Sequence, residues 1–213
     1  MIERLSTGNP RLDSVLGGGL VRNSITLVCG APGTGKTLLA EQCLFANATP
    51  ERPGLYLSTV SEPLDKILRY GQSLSFFDTA QVGRSVLYEE LGSVLDGDGL
   101  AGALAMIDQL MKDHRPGLLV LDSFKALNAF ADSEGDFRRF LHDLAGRLTA
   151  VAITSLWVGE YEASDAVTAA EFAVADAVVE LSTKHAGERS SRYLRVLKLR
   201  GSDFAPGDHA YRL

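Results

Sequence analysis

Cysteine, positive charge and long apolar runs are all scarce in this sequence. Its two cysteines, Cys29 and Cys43, have no C-x-x-C spacing, so we expect reduced core residues rather than a disulfide framework. The formal net charge is −6, so no overall positive field draws the chain to nucleic acid or anionic lipid. No apolar run reaches membrane-spanning length, and the amino terminus has no basic and apolar signal segment. These absences predict a cytoplasmic protein with no membrane partner.

The composition that remains fits one α/β domain over residues 1–213. A chain of 213 residues with 46% apolar residues can fill a single core, and no repeats, low-complexity tracts or linkers interrupt it. Buried-strand patterns alternate with helical patterns along most of the chain, which predicts a mainly parallel sheet flanked by helices. Two final runs, residues 173–181 and 191–200, predict a pair of strands joined by a turn at 186–189.

The most specific motif is a phosphate-binding loop. Residues 25–37 form a short apolar strand that runs directly into G-x-x-x-x-G-K-T. The glycines leave room for backbone N–H groups to turn toward a di- or triphosphate, and the next helix presents its positive amino end to the same anion. Lys36 is expected to reach the β- and γ-phosphate oxygens, and Thr37 to ligate Mg²⁺. The predicted nucleotide contacts are Gly30, Ala31, Pro32, Gly33, Thr34, Gly35, Lys36, Thr37 and Leu38.

Two further strand ends carry polar residues suited to a nucleotide site. Leu118–Asp122 is four apolar residues followed by Asp, the pattern of a buried strand that delivers one carboxylate to Mg²⁺. Any buried parallel strand that ends in Asp would also match, but the upstream phosphate-binding loop favours the metal role for Asp122. Residues 151–155 predict another strand. Its last residue, Ser155, is either placed to sense the γ-phosphate or an ordinary strand-terminating serine.

A family resemblance rests on two motifs. Residues 6–20 follow the pattern S-T-G-x-x-x-L-D-x-x-L-G-G-G-L, and G-x-P-G-T-G-K-T follows about ten residues later. Together they resemble the KaiC-like branch of the RecA-fold ATPases, over nearly the whole chain. The resemblance implies a RecA-like fold, ATP or ADP with Mg²⁺ as ligands, slow ATP hydrolysis, a homohexameric ring and docking of a regulatory protein. KaiC-like domains usually continue through one more strand beyond the position of Tyr211-Arg212-Leu213. We therefore expect that this sequence has been trimmed or is the front part of a longer protein.

The segment at residues 194–201 carries two cations. With a strand period of two, Leu194, Val196, Lys198 and Arg200 are predicted to share one face. The K-x-R-G-S pattern is similar to a KaiC-like segment whose two cations reach the γ-phosphate bound by the adjacent subunit of a ring. The resemblance therefore implies that Lys198 and Arg200 neutralise charge on a phosphoryl group in trans. The alternative is a solvated strand end.

The general base departs from the family pattern. RecA-fold ATPases place a water-activating glutamate just past the second strand, and KaiC-like domains have a Glu-Glu pair there. In this sequence Val60 and Ser61 occupy the matching positions, and Glu62 is the nearest carboxylate. Glu62 is the expected base in altered geometry, or the site is slow, with Glu89 and Glu90 as fallback candidates.

A second departure distinguishes two kinds of KaiC-like domain. Autokinase domains carry a Ser-Thr pair shortly before the Asp that matches Asp176. Phe172 and Ala173 stand at those positions here. The segment therefore resembles the hydrolytic half of KaiC rather than the self-phosphorylating half.

Residues 156–170 carry the acidic side chains Glu160, Glu162 and Asp165 around Trp157 and Tyr161. In RecA-fold recombinases the corresponding loop contacts DNA, so its acidic character here predicts that nucleic acid is not a ligand.

Two alternatives to a slow ATPase stay open. One is a nucleotide-gated signalling scaffold with little turnover, and the other is a recombinase-like ATPase that acts on DNA.

Overall fold

The computed structural model describes residues 2–59, 64–162, 165–187 and 189–212. Within these ranges the chain forms an eight-stranded sheet flanked by helices and a separate two-stranded sheet near the amino terminus. The predicted α/β fold, with a mainly parallel sheet and a carboxy-terminal antiparallel hairpin, is confirmed. Among the described residues, no helix combines the length and apolar character needed to cross a bilayer.

Ten strands and seven α-helices lie in the described ranges. The strands are β1 (Arg4–Leu5), β2 (Leu20–Val21), β3 (Ile25–Gly30), β4 (Gly54–Ser58), β5 (Val86–Glu90), β6 (Leu118–Asp122), β7 (Thr154–Gly159), β8 (Ala177–Ala186), β9 (Arg189–Leu199) and β10 (His209–Tyr211). The helices are α1 (Pro10–Val15), α2 (Lys36–Asn47), α3 (Leu64–Gly71), α4 (Gly92–His114), α5 (Glu134–Ala150), α6 (Asp165–Thr168) and α7 (Ala170–Val174), with a 3₁₀ helix at Phe124–Phe130.

The large sheet has the strand order β10-β9-β8-β3-β7-β6-β4-β5. The six strands from β8 to β5 pair in parallel, and β9 and β10 add to the β8 edge in antiparallel fashion. Parallel strands are covered on both faces, which accounts for the continuous apolar runs in β3, β4 and β6. Because the carboxyl ends of parallel strands meet at one edge, the segments after β3, β6 and β7 lie side by side.

Apolar layers cover both faces of the sheet. On one face, residues of α4, α5 and the 3₁₀ helix form a core around Trp157, whose ring stacks on Phe124 with centroids 4.1 Å apart. On the other face α2 contributes Leu44 and Phe45 to a second core. Full burial of each such side chain stabilises the fold by about 1.5–3 kcal/mol, so both layers hold the strands firmly beneath their carboxyl edge.

The glycine-rich motif at residues 6–20 is hydrogen-bonded to α2, the helix after the phosphate-binding loop. The Asp13 carboxylate accepts hydrogen bonds from Ser6 Oγ and from the backbone and hydroxyl of Thr7, each at 2.7 Å. The Thr7 carbonyl in turn accepts a 3.0 Å bond from Gln42 of α2. Gly19 has φ 110°, and a Cβ there would lie 2.3 Å from a backbone oxygen. The motif therefore anchors the amino-terminal segment to α2.

Two predicted strand boundaries are displaced. The strand expected at residues 151–155 instead begins at Thr154 and ends at Gly159. Helix α5 continues to Ala150 and a turn follows, in which Ala152 has φ 54°, so the β-branched Val151 is not part of the strand. The run 173–181 is likewise divided between α7 and β8. Short apolar runs fit a helix end or a strand equally well, and only packing decides between them.

A β-bulge overturns the predicted face of the 194–200 segment. Pairing between β9 and β8 is regular up to Val196 and resumes at Lys198, so Leu197 is the extra residue. One extra residue inverts the inside-outside alternation beyond it. Val196 packs in the layer on the α2 face, whereas Lys198 contacts the carbonyl end of α7 in the other layer. The prediction that Leu194, Val196, Lys198 and Arg200 share one face is therefore wrong.

Candidate functional site

The phosphate-binding loop connects the central strand β3 to α2. Gly30 ends the strand with φ 143°, and a Cβ there would lie 2.0 Å from the Leu181 carbonyl oxygen, so only glycine fits. Gly35 caps the start of α2 in a left-handed conformation, with φ 94°. The loop thus leads to the amino end of α2, where unpaired N–H groups and the helix dipole attract an anion.

A cleft of about 520 Å³ lies against this loop, at the carboxyl edge of the parallel strands. The residues that line it are Gly33, Gly35, Lys36, Thr37, Leu38, Asp122, Ser123, Ala126, Gly159 and Glu160. The other predicted contacts, Gly30, Ala31, Pro32 and Thr34, shape the loop, and the buried Thr34 hydroxyl donates a 2.8 Å bond to the Ala31 carbonyl. The volume is in the range of small-molecule sites.

Lys36 lies at the floor of the cleft with only 7% of its side chain exposed. Its Nζ donates a 2.9 Å hydrogen bond to the Ala31 carbonyl and lies 3.9 Å from Oε1 of Glu160. Burial lowers the pKa of the Lys36 ammonium, whereas Glu160 and Asp122 act in the opposite direction. A polyphosphate would supply the strong negative charge that this partly desolvated cation lacks.

Thr37 and Asp122 meet across the cleft. The Thr37 hydroxyl donates a 2.6 Å hydrogen bond to Oδ2 of Asp122, and the Tyr56 hydroxyl donates to the same oxygen at 2.9 Å. Burial, followed by the Asp122 charge, raises the pKa of Tyr56, so the tyrosine stays a donor. Tyr56 therefore orients the carboxylate toward the phosphate-binding loop.

These oxygen donors fit Mg²⁺. In the described part of the chain, no group of three or more His, Cys, Asp or Glu side chains could hold a metal by itself. Magnesium is commonly bound by one or two protein oxygens together with substrate phosphates and water. Thr37 and Asp122, in contact at the cleft wall, match that donor set.

The prediction that Ser155 ends a strand near the γ-phosphate is wrong. Ser155 is the second residue of β7, pairs with Ile25 at the start of β3, and is fully buried. Gly159, four residues further along, is the strand residue that reaches the cleft. At about 3.3 Å per residue, Ser155 lies roughly 13 Å below that edge. The early start assigned to the strand caused the error.

Lys198 and Arg200 lie far from their own phosphate-binding loop. Lys198 Nζ donates to the Phe172 and Ala173 carbonyls at 2.9 and 3.1 Å. Arg200 contacts the Ala173 carbonyl at 3.0 Å and Oδ1 of Asp176 at 3.3 Å. The other oxygen of this aspartate accepts a bond from the backbone of Ile25, at the opposite end of β3 from Gly30. The five-residue step along β3 from Ile25 to Gly30 is about 17 Å. Neither cation can therefore reach phosphates held by the same chain.

The predicted general bases are only partly placed. Glu62, with Val60 and Ser61, lies outside the described residues. The fallback candidates Glu89 and Glu90 end β5, the edge strand of the sheet. Glu90 pairs with Ser58, which in turn pairs with Asp122. Two strand spacings, about 10 Å, thus separate the Glu90 backbone from that of Asp122.

Sequence reasoning missed two side chains of the site. Tyr56 is the aromatic residue of the buried strand β4. A buried tyrosine usually needs a hydrogen-bond partner for its hydroxyl, which is a signal of a polar contact at this position. Glu160 follows β7, the strand between β3 and β6, and therefore falls at the edge where ligands bind in such sheets. The rule that ligands bind at the carboxyl ends of parallel strands could have identified Glu160 once β7 was known to end at Gly159.

Described side chains in the segment after β7 pack against neighbouring elements. Tyr161 is 5% exposed, and its hydroxyl donates a 2.8 Å bond to the buried Glu171 of α7. Lys125 lies 5.0 Å from the centre of the Tyr161 ring and forms a 2.7 Å ion pair with Asp165. These contacts join the segment to the 3₁₀ helix and to α7.

The fold and the cleft together define a P-loop nucleotide-binding domain of the RecA-like class. A family model described as "ATPase: KaiC" matches residues 5–213. The chain therefore belongs to the KaiC family and is a nucleotide-binding ATPase domain.

Two relatives share sequence similarity with the chain, and one solved structure shares its fold. The chain is 26% identical to the UPF0273 protein MK0039 of Methanopyrus kandleri, over all of this chain and 89% of that protein. It is 30% identical to the circadian clock oscillator protein KaiC of Synechococcus elongatus over 93% of this chain, but spans only 38% of that longer protein. The fold matches the KaiC-like protein PH0186 of Pyrococcus horikoshii OT3 with a TM-score of 0.87 and 21% identity, over 100% of this chain and 96% of the other.

Proposed function

We propose that this chain acts as one domain that binds Mg·ATP and hydrolyses it slowly to ADP and phosphate. The observation that carries the proposal is the contact between Thr37 and Asp122, 2.6 Å apart, beside the buried Lys36 in the wall of one cleft. A metal donor pair and a phosphate-binding cation in this arrangement serve phosphoryl transfer.

The residues divide the work in a simple way. The loop amides and the amino end of α2 bind the phosphates, and Lys36 contacts the β- and γ-phosphate oxygens. Thr37 and Asp122 would hold Mg²⁺, with Tyr56 orienting the carboxylate. Bound Mg²⁺ supplies charge neutralisation on the phosphate oxygens. Turnover is slow because Val60 and Ser61 replace the carboxylate pair of related domains.

We further propose that the active form is a homohexameric ring in which Lys198 and Arg200 serve the neighbouring subunit. Both cations lie at the opposite edge of the sheet from their own phosphate-binding loop, so a role in phosphoryl transfer requires a second chain. The nucleotide state of the ring would control docking of a regulatory protein partner in the cytoplasm.

Mixing two inactive variants tests the shared site. Lys198→Ala/Arg200→Ala keeps its own cleft, and Lys36→Ala keeps its cations, so mixed rings should recover part of the ATPase activity. Loss of a transition-state cation in phosphoryl transfer typically costs about 10³–10⁵ in rate. Arg11→Ala/Arg69→Ala removes the same charge from exposed helical positions and should stay active. A flat rate across mixing ratios, with mixed rings verified, would refute the shared site.

The same assays separate the ATPase from the scaffold alternative. A nucleotide-gated scaffold predicts ATP binding through Lys36 with no release of phosphate. Phosphate release above that of Lys36→Ala therefore supports the ATPase.

A further inference from the structure

We propose that Glu160 accepts the proton of the attacking water when ATP is hydrolysed in this cleft. The inference rests on the proposed function and names a catalytic carboxylate for it. It would place the base directly after β7, the strand that lies between β3 and β6.

The topology brings Glu160 between the two halves of the site. Strand β7 pairs with β3 on one side and β6 on the other, so Gly159 lies opposite Cys29 and the preceding residue opposite Asp122. Glu160 is the next residue, and it lines the cleft. Its Oε1 is 3.9 Å from Nζ of Lys36. The carboxylate therefore stands beside the cation expected to mark the β- and γ-phosphates.

The backbone of Glu160 is held on both sides while its carboxylate stays exposed to water. On one side Gly159 ends β7, and a Cβ there would lie 2.3 Å from the Tyr161 ring, so the two residues pack closely. On the other side Tyr161 is buried and bonded to Glu171. The Glu160 side chain itself is 58% exposed. Water can therefore reach a carboxylate whose attachment point is fixed.

The other acidic residue of the cleft wall is committed elsewhere. Glu160 and Asp122 are the carboxylates among the described residues that line the cleft. Asp122 accepts hydrogen bonds from Thr37 and Tyr56 and is assigned to the metal. Val60 and Ser61 stand where related domains have their glutamate pair, and neither side chain is a carboxylate base. Among the described residues of the cleft, these observations leave Glu160 as the carboxylate available to act as a base.

The proposed step balances without a further reactant. The water oxygen forms a bond to the γ-phosphorus, and its proton passes to a carboxylate oxygen of Glu160. The bond from the γ-phosphorus to the bridging oxygen breaks, and its electron pair leaves with ADP. The protonated Glu160 then releases the proton to solvent, which its exposure permits. A base acts at about 2.6–3.2 Å from the proton it accepts, or through one further water. The Glu160 carboxylate lies 3.9 Å from the ammonium expected to contact the γ-phosphate.

A salt bridge that only restrains Lys36 is the competing interpretation of the 3.9 Å contact. In that case neutralising Glu160 would free the lysine for phosphate, so ATP would bind more tightly and hydrolysis would not slow. A catalytic base predicts the reverse, with binding nearly unchanged and hydrolysis lost.

Glu160→Gln is the decisive variant because it keeps the shape and removes the base. We expect ATP affinity within about threefold of the parent and a single-turnover rate lower by about 10²–10⁴, the usual contribution of a positioned base. Glu160→Asp should recover part of the rate. Glu162→Gln, an exposed carboxylate two residues away, is the matched control and should match the parent. Melting curves verify that all variants are folded.

The outcomes separate this inference from the proposed function. A parent protein that binds ATP but releases no phosphate refutes both. A parent that turns over, with Glu160→Gln equally active, refutes the inference alone. The same holds if Glu62→Gln loses activity in this range while Glu160→Gln does not.

Discussion

Tyr161→Phe probes the contact that fixes the backbone after Glu160. The Tyr161 hydroxyl donates a 2.8 Å bond to Oε1 of Glu171, and the two residues are 5% and 3% exposed. Burial, followed by the Glu171 charge, raises the pKa of Tyr161, so the hydroxyl remains a donor throughout the neutral range. Removal of this one oxygen leaves the ring packing unchanged and deprives a buried carboxylate of its donor.

The cost follows from leaving that acceptor unpaired. A buried polar group that loses its partner costs about 1–3 kcal/mol, and a charged group costs more. In a chain of this length a loss of about 2 kcal/mol lowers the Tm by roughly 4–8 °C. We also expect slower ATP hydrolysis with little change in ATP affinity, because the contact supports Glu160 and not the phosphate-binding loop.

Thermal and urea denaturation measure the effect. Tyr70→Phe makes the same chemical change on a ring that is 63% exposed, and it should melt as the parent does. A second control, Tyr161→Phe/Glu171→Leu, removes the orphaned carboxylate and should regain part of the lost stability. If Tyr161→Phe is as stable as Tyr70→Phe, the hydrogen bond does not hold this segment and the reasoning fails.

Two further predictions concern charge. The pKa of Asp208 is lowered to about 2 by hydrogen bonds from Arg195 and then Lys184. Because the folded pKa lies below the unfolded value of about 4, the stabilisation is present above that pH and is lost as the pH falls toward 2. Asp208→Asn should therefore be less stable than the parent at pH 7, and a gap in urea midpoint that persists undiminished at pH 3 would contradict this. DNA is not expected to bind, because the chain has net charge −6; tight, salt-sensitive binding in an anisotropy titration at low salt would overturn that view.

Much of the site was predictable because its chemistry is local in sequence. The phosphate-binding loop is one contiguous motif, and its glycines, lysine and threonine have roles that depend on the strand before it and the helix after it. Asp122 was predictable for a related reason, since four apolar residues before an acid indicate a buried strand and its end. The fold class followed from the alternation of such strands with amphipathic helices.

The errors arose where the sequence pattern was ambiguous over one or a few residues. Val151 and Ile153 favour a strand, but α5 and the following turn occupy this part of the chain, so β7 starts later and Ser155 lies at the wrong end. The bulge at Leu197 adds one residue that strand periodicity cannot reveal. Each small shift moved functional assignments by several ångströms.

The sequence by itself therefore determined the class of fold, the phosphate-binding loop and the place of Asp122 at the end of a buried strand, because each depends on neighbouring residues along the chain. Only the tertiary structure decided that Glu160 faces Lys36, that Tyr56 orients Asp122, and that Lys198 lies beyond the reach of its own cleft. These facts depend on which strands are neighbours and in what register. Strand order and register are set by the packing of both faces of the sheet, which joins residues far apart in the chain.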